Sequence, residues 1–150
     1  MNGFQQTGFL HIDNHLQLKN GSEFHSAINF TTEGLLNPYE ISAGIFVPPG
    51  TYRNSEVHLY AQRNQGAWIS FSGSLTVGGF YTGERVAFSP AVRMRLGERF
   101  VSQLSWLQND VALPQGNFVT QVGRLRLSYS FTPKVALEAL LQYNNVDDFF

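Results

Sequence analysis

Apolar and polar residues alternate with a period of two along most of the chain. That period places one set of side chains on each face of an extended strand. Leu10, Ile12, Leu16 and Leu18 alternate with His11, Asp13, His15 and Gln17, and after Asn20-Gly21 the pattern resumes with Phe24, Ile28 and Phe30 against His25, Asn29 and Thr31. Asn-Gly between two such runs is a strong hairpin signal. Val57, Leu59 and Ala61 oppose Glu56, His58 and Gln62; beyond Asn64-Gln65-Gly66, Ile69, Phe71, Leu75 and Val77 oppose Ser70, Ser72, Ser74 and Thr76. Val86, Phe88, Val92, Met94 and Leu96 oppose Ser89, Arg93 and Arg95, and Gly97-Glu98-Arg99 leads into Phe100, Leu104 and Trp106 against Gln103, Ser105 and Asn109. Leu125, Leu127, Tyr129 and Phe131 oppose Arg124, Arg126, Ser128 and Ser130, and Thr132-Pro133-Lys134 turns into Val135, Leu137, Ala139, Leu141 and Tyr143 against Glu138, Gln142 and Asn144. No window carries a capped i, i+3, i+4, i+7 apolar stripe, so no helix is expected. The pattern predicts an all-β fold: an antiparallel up-and-down meander of about eight long strands in four hairpins, forming a transmembrane β-barrel or part of one.

Connections within the four hairpins are short, whereas Glu33 to Asn54, Gly78 to Glu84 and Asp110 to Asn117 read as longer loops. In a meander every second connection lies at the same end, so one end is expected to carry tight turns and the other long loops, as in outer-membrane barrels. The segment from Glu40 to Val47 is also strand-like, but counting it as a full span would break that parity. It is therefore placed inside the first long loop, ended by Pro48-Pro49-Gly50, which cannot continue a ladder. Its apolar residues, Ile41, Ile45, Phe46 and Val47, are expected to pack as a short strand continuing the sheet or to fold over the barrel mouth.

Alternation alone does not say which face is wet. In a membrane barrel the apolar face meets lipid; in a soluble lipocalin-like barrel it encloses an apolar ligand. Strand length, aromatic residues near strand ends (Phe24, Phe100, Trp106, Tyr129, Phe131, Tyr143) and polar mid-strand residues on the opposite face favour lipid. Accordingly Leu125, Leu127 and Tyr129 are expected outside, with Arg124, Arg126 and Ser128 on the concave side. The 150 residues suit one domain, 1–150. A net charge of −1 provides no field for nucleic acid, and the absence of Cys excludes disulfides, thiolate zinc sites and thiol chemistry.

Candidate chemistry is sparse. Arg93, Arg95, Arg124 and Arg126 form a possible polar ladder in a barrel lumen, able to select anionic solutes or to pair with carboxylates such as Glu138. His11, Asp13 and His15 share a strand face, with His25 on the neighbouring strand close to Gln17 and diagonal to His15. Such groups can converge on a transition metal but have no fixed ligand spacing, and polar lumen filling is the commoner arrangement. No Gly-x-Ser-x-Gly elbow, phosphate loop or catalytic carboxylate pair is present. No enzyme activity, cofactor, metal or catalytic residue is expected.

Several strings taken together carry a resemblance: Ile45-Phe46-Val47-Pro48-Pro49-Gly50-Thr51-Tyr52, Gly78-Gly79-Phe80-Tyr81-Thr82-Gly83-Glu84-Arg85, Leu113-Pro114-Gln115-Gly116-Asn117-Phe118, Arg124 to Pro133, and Leu140-Leu141-Gln142-Tyr143-Asn144. The chain resembles the C-terminal β-barrel region, a domain of unknown function, of bacterial outer-membrane proteins that carry an N-terminal carbohydrate-binding family-9-like domain. The resemblance implies an outer-membrane pore, receptor or surface scaffold linked to saccharide binding or uptake, with membrane lipid and the outer-membrane assembly machinery as partners. Unlike that family, the sequence opens on Met1-Asn2-Gly3-Phe4-Gln5-Gln6 without a signal peptide or sugar-binding domain, and Asp147-Asp148-Phe149-Phe150 lacks the aromatic alternation of a closing strand. It is therefore expected to be a fragment of a larger barrel, although eight strands are enough for a small one.

Overall fold

Alternation of this length leaves the backbone one way to satisfy its hydrogen bonds while segregating two faces: pairing with neighbouring strands. A computed structural model describes residues 7–132 and 135–145. Its ten strands are β1 (Thr7–Gln17), β2 (Glu23–Leu35), β3 (Tyr39–Ser42), β4 (Ile45–Val47), β5 (Gly50–Gln62), β6 (Ile69–Phe80), β7 (Gly83–Leu96), β8 (Phe100–Leu113), β9 (Gly116–Thr132) and β10 (Val135–Asn144). Eight make a single antiparallel meander, β1-β2-β5-β6-β7-β8-β9-β10, and β3 and β4 pair separately. The fold is all-β, as the alternation predicts. The sheet is not closed: among the described residues, β1 and β10 each pair on one side only.

Four of the connections lie at one end. Gly21, in the left-handed region at φ 77, closes the first, where Leu18 N donates to Ser22 O at 2.8 Å and Ser22 N donates to Asn20 Oδ1 at 3.0 Å. The turn from β7 to β8 uses Gly97 at φ 62. The expected turn at Pro133-Lys134 lies outside the described residues, as do the readings of Met1 to Gln6 and of Asp147 to Phe150.

The opposite end departs from expectation. The loops expected at Gly78 to Glu84 and Asp110 to Asn117 shrink to Tyr81-Thr82 and Pro114-Gln115, because the flanking strands run on. Glycine, taken as loop punctuation, here permits backbone contact within strands: a Cβ on Gly78 would lie 2.3 Å from Glu56 Cα, and one on Gly83 would lie 2.0 Å from Ala112 O. Only the first long connection remains, and it holds the β3–β4 hairpin. Thr82 Oγ1 donates to Gln115 Oε1 at 2.8 Å, joining the two tight turns.

Register fixes the two faces. Leu10, Phe30, Val57, Val77, Val86, Leu104, Leu125 and Leu141 share one, and His11, Asn29, Glu56, Arg85, Gln103, Arg126 and Glu138 share the other. Pro90 sits inside β7, opposite Gly73 of β6; its missing N–H falls where the ladder to β8 is interrupted, between Phe88 and Ala91. On the apolar face Trp106 and Tyr143 stack at 6.1 Å and 10° across Gly123, which has no side chain to separate them.

The buried core is small and lies off-centre. Val47, Val111 and Leu113 are buried, surrounded by Leu35, Ile41, Ile45, Tyr52, Phe80, Tyr81 and Phe118. The strand members of this cluster belong to the polar-side register, at the end where the charged residues give way to apolar ones. The β3–β4 hairpin therefore folds over that face. Within the hairpin the roles are uneven: Val47 is 0% exposed and Phe46 49%. Tyr52, whose hydroxyl donates to Pro48 O at 2.5 Å, ties its exit to β5.

Candidate functional site: the polar face

Along β2, β5, β6 and the first half of β7 the polar residues are the less exposed of the two sets. In β5, Tyr52, Asn54, Glu56, His58, Tyr60 and Gln62 are half-buried, whereas Thr51, Arg53, Ser55, Val57 and Ala61 are exposed. Leu10, Ile12, Phe30, Phe71 and Phe88 on the other face are exposed as well. This inverts the soluble pattern, in which the apolar face is the enclosed one. Midway along β9 the order is the reverse: Arg124 and Arg126 are exposed and Leu125 and Leu127 half-buried.

The polar face carries a hydrogen-bonded row across four strands. His11 Nδ1 lies 2.5 Å from Asn29 Oδ1, Asn29 Nδ2 donates to Glu56 Oε1 at 3.3 Å, and Arg85 Nη2 donates to Glu56 Oε2 at 2.5 Å. Glu56, Gly78 and Arg85 stand in register, so the absent side chain of Gly78 lets the ion pair pass over β6. The Arg85 guanidinium also lies 4.8 Å from the Phe80 ring centroid. A second group sits nearer the turn end. Gln17 Nε2 donates to Glu23 Oε1 at 3.3 Å and Gln62 Nε2 to Glu23 Oε2 at 2.6 Å, while the Tyr60 hydroxyl donates to Gln62 Oε1 at 2.8 Å. His58 and Thr76 pair at 2.8 Å.

The expected basic ladder is brought together in part. Arg93, Gln103, Arg126, Ser128 and Glu138 line one recess of about 200 Å³. Gln103, Ser105, Arg124, Arg126, Leu140 and Gln142 line another of about 320 Å³. Arg95 shares the face but lines neither. Arg126 and Glu138 approach to 4.0 Å, both largely exposed, a geometry worth well under about 1 kcal/mol. The histidine hairpin differs in register from the expected pairing: His15 stands directly opposite His25, and Gln17 opposite Glu23, because the loop spans Leu18 to Ser22. Asp13 faces Ala27 and stays apart from the imidazoles.

Near the hairpin, Tyr81 adopts φ 49. Its phenol is pushed well above its ordinary value of 10.0, first by burial and then by the hydrogen bond to the Glu33 carboxylate. Sequence reasoning missed the Glu56–Arg85 and Tyr81–Glu33 pairings, since both join residues that only the extended strands bring side by side. Comparison of the chain with protein-family models, with curated proteins and with solved structures finds no match.

Proposed function

We propose that this chain is a segment of a bacterial outer-membrane β-barrel, with the apolar face against lipid and the polar face lining a lumen. The observation that carries the reading is the inverted exposure: on β2, β5, β6 and the first half of β7 the large apolar side chains Phe30, Val57, Phe71 and Phe88 are the outer set and Glu23, His25, Glu56, His58 and Arg85 the sheltered one, with Arg53 and Glu84 exposed on the outer face near its hairpin end. A soluble protein would expose too large a contiguous apolar surface in that arrangement. The dimensions support it. On β9 the apolar face runs from Phe131 to Gly123, about 26 Å at about 3.3 Å per residue. A strand tilt of about 40° reduces this to about 20 Å, close to the ~25 Å band of an outer-membrane barrel. On β8 and β9, beyond Trp106 and Gly123, the same face carries Gln108, Asp110, Gln121 and Asn117 beside Val119, whereas on β7 it stays apolar through Phe88 and Val86, towards the end where the hairpin folds over. That end is assigned to the exterior.

The hairpin cover and the polar face beneath favour a receptor or gated pore over an open channel. The association with saccharide, and with assembly machinery as a partner, rests on the resemblance to the barrel regions of proteins with a family-9-like sugar-binding domain. The soluble lipocalin-like alternative requires the apolar set inside. Leu104→Arg against Gln103→Arg separates the two readings. The first places a cation mid-belt on the lipid face at about 2–4 kcal/mol, so folding into bilayers should fail for it and proceed for the second. The reverse ranking would support the soluble barrel.

A further inference from the structure

On the polar face close to the first turn, His15, Glu23 and His25 each present a ligand atom, and these atoms all lie within 4.8 Å of one another. The imidazole rings face each other at 3.7 Å between centroids. His25 Nε2 lies 3.7 Å from Glu23 Oε2, too far for a hydrogen bond. It is buried and has no hydrogen-bond partner. An orphaned buried nitrogen is costly unless something outside the chain satisfies it. A gap of that size is what a metal ion fills: with bonds of about 2.0–2.2 Å to nitrogen and carboxylate oxygen, tetrahedral ligand atoms lie about 3.3 Å apart. The set must contract, by about 0.4 Å between His25 and Glu23 and by up to about 1.5 Å at its widest.

The surrounding groups are arranged to hold such a set. Gln17 and Gln62 donate to the two oxygens of Glu23, and Tyr60 donates to Gln62, which fixes the carboxylate as outer-shell partners do in metal sites. The other two histidines are engaged elsewhere, His11 with Asn29 and His58 with Thr76. We propose that His15, Glu23 and His25 form a binding site for a late first-row divalent metal ion, Zn²⁺ or Cu²⁺, which ties β1 to β2 and keeps a fourth coordination position open to the polar face. Two imidazoles and one carboxylate suit those ions better than Mg²⁺ or Ca²⁺, which take oxygen ligands. The site goes beyond the barrel reading and does not depend on it.

The test uses the tag-free 150-residue chain, in detergent or in aqueous buffer, whichever preserves its strand circular dichroism. Zn²⁺ is titrated against a chromophoric chelator, and Cu²⁺ is followed by electron paramagnetic resonance. One ion should bind per chain, and the Cu²⁺ spectrum of the unsubstituted protein should show coupling to two imidazole nitrogens, falling to one in His15→Ala. Gln62→Leu, which removes an outer-shell donor but no ligand, should weaken Zn²⁺ binding about 10- to 100-fold. Glu23→Gln and His25→Ala should weaken it further, with His11→Ala and His58→Ala unchanged. A Cu²⁺ spectrum with fewer than two nitrogens in the unsubstituted chain would overturn the site. So would Zn²⁺ affinity that His15→Ala and Glu23→Gln leave intact, or that His11→Ala lowers equally.

Discussion

Replacing Val47 by Ala probes the contact that seats the β3–β4 hairpin on the sheet. Val47 is fully enclosed against Val111 and Leu113, whereas its larger neighbour Phe46 is half exposed. Val47→Ala removes two methyl-sized groups, about 1.6 kcal/mol of transfer free energy, and leaves a void whose lining cannot fully relax, for a total of about 2–3 kcal/mol. Phe46→Ala deletes more carbon, but half of that side chain is already exposed and no enclosed void is left, so it should cost less, about 1–1.5 kcal/mol. At about 1.4 kcal/mol per decade, Val47→Ala should raise the population of the detached hairpin roughly 30- to 140-fold. Native-state hydrogen exchange reads this at the amides that pair β3 with β4, such as those of Tyr39 and Val47. Exchange should quicken there while the central amides of β6 and β7 stay protected. If Phe46→Ala loosens the hairpin as much as Val47→Ala, or if neither does, burial of Val47 is not what holds it.

Gly83→Ala forces a Cβ to 2.0 Å from Ala112 O and should cost at least about 1–3 kcal/mol, with the β7–β8 register disturbed. Gly44→Ala meets no atom within 4 Å and should cost only about 1 kcal/mol for its left-handed φ of 73°, a contrast that denaturant titration in detergent would show. The Tyr81 phenol is raised in the folded state, so its contribution is fully present below pH 10.0 and is lost as pH rises above that value through the folded pKa. Stability should therefore fall above pH 10.0. Phenolate absorbance should show Tyr81 titrating late, and Tyr81→Phe should remove that late component together with its share of the stability loss.

Much of the fold could be read from the chain because side-chain period and strand geometry are the same fact. The opposition of Leu125, Leu127 and Tyr129 to Arg124, Arg126 and Ser128 is present in the ladder, and so is the turn at Asn20-Gly21. Glycine was ambiguous: Gly78, Gly79 and Gly83 look like loop residues in sequence, yet their missing side chains serve close strand approach and the passage of Arg85 to Glu56. The histidine hairpin was legible as a face but not as a register. Two extra loop residues exchange Gln17 for His15 opposite His25 and bring Glu23 in, and only the Leu18–Ser22 hydrogen bond settles that choice. Phe46 and Val47 are equally apolar in sequence, and only the packing of the β3–β4 hairpin against Val111 and Leu113 decides which is enclosed.

The central claim is that the apolar face meets lipid. With no Cys in the chain, single cysteines placed one at a time along β7 can carry a nitroxide without interference. In lipid vesicles, collision with dissolved oxygen, which concentrates in the bilayer, and with a water-soluble nickel chelate reports what each position faces. Labels at Val86, Phe88, Val92 and Met94 should favour oxygen, and labels at Arg85, Ala87, Ala91 and Arg93 should favour the chelate, alternating residue by residue. A chelate alternation of the same phase but without the oxygen enhancement, the Val86 set being shielded from both collision partners, would contradict the membrane account and put the apolar face inside a soluble barrel.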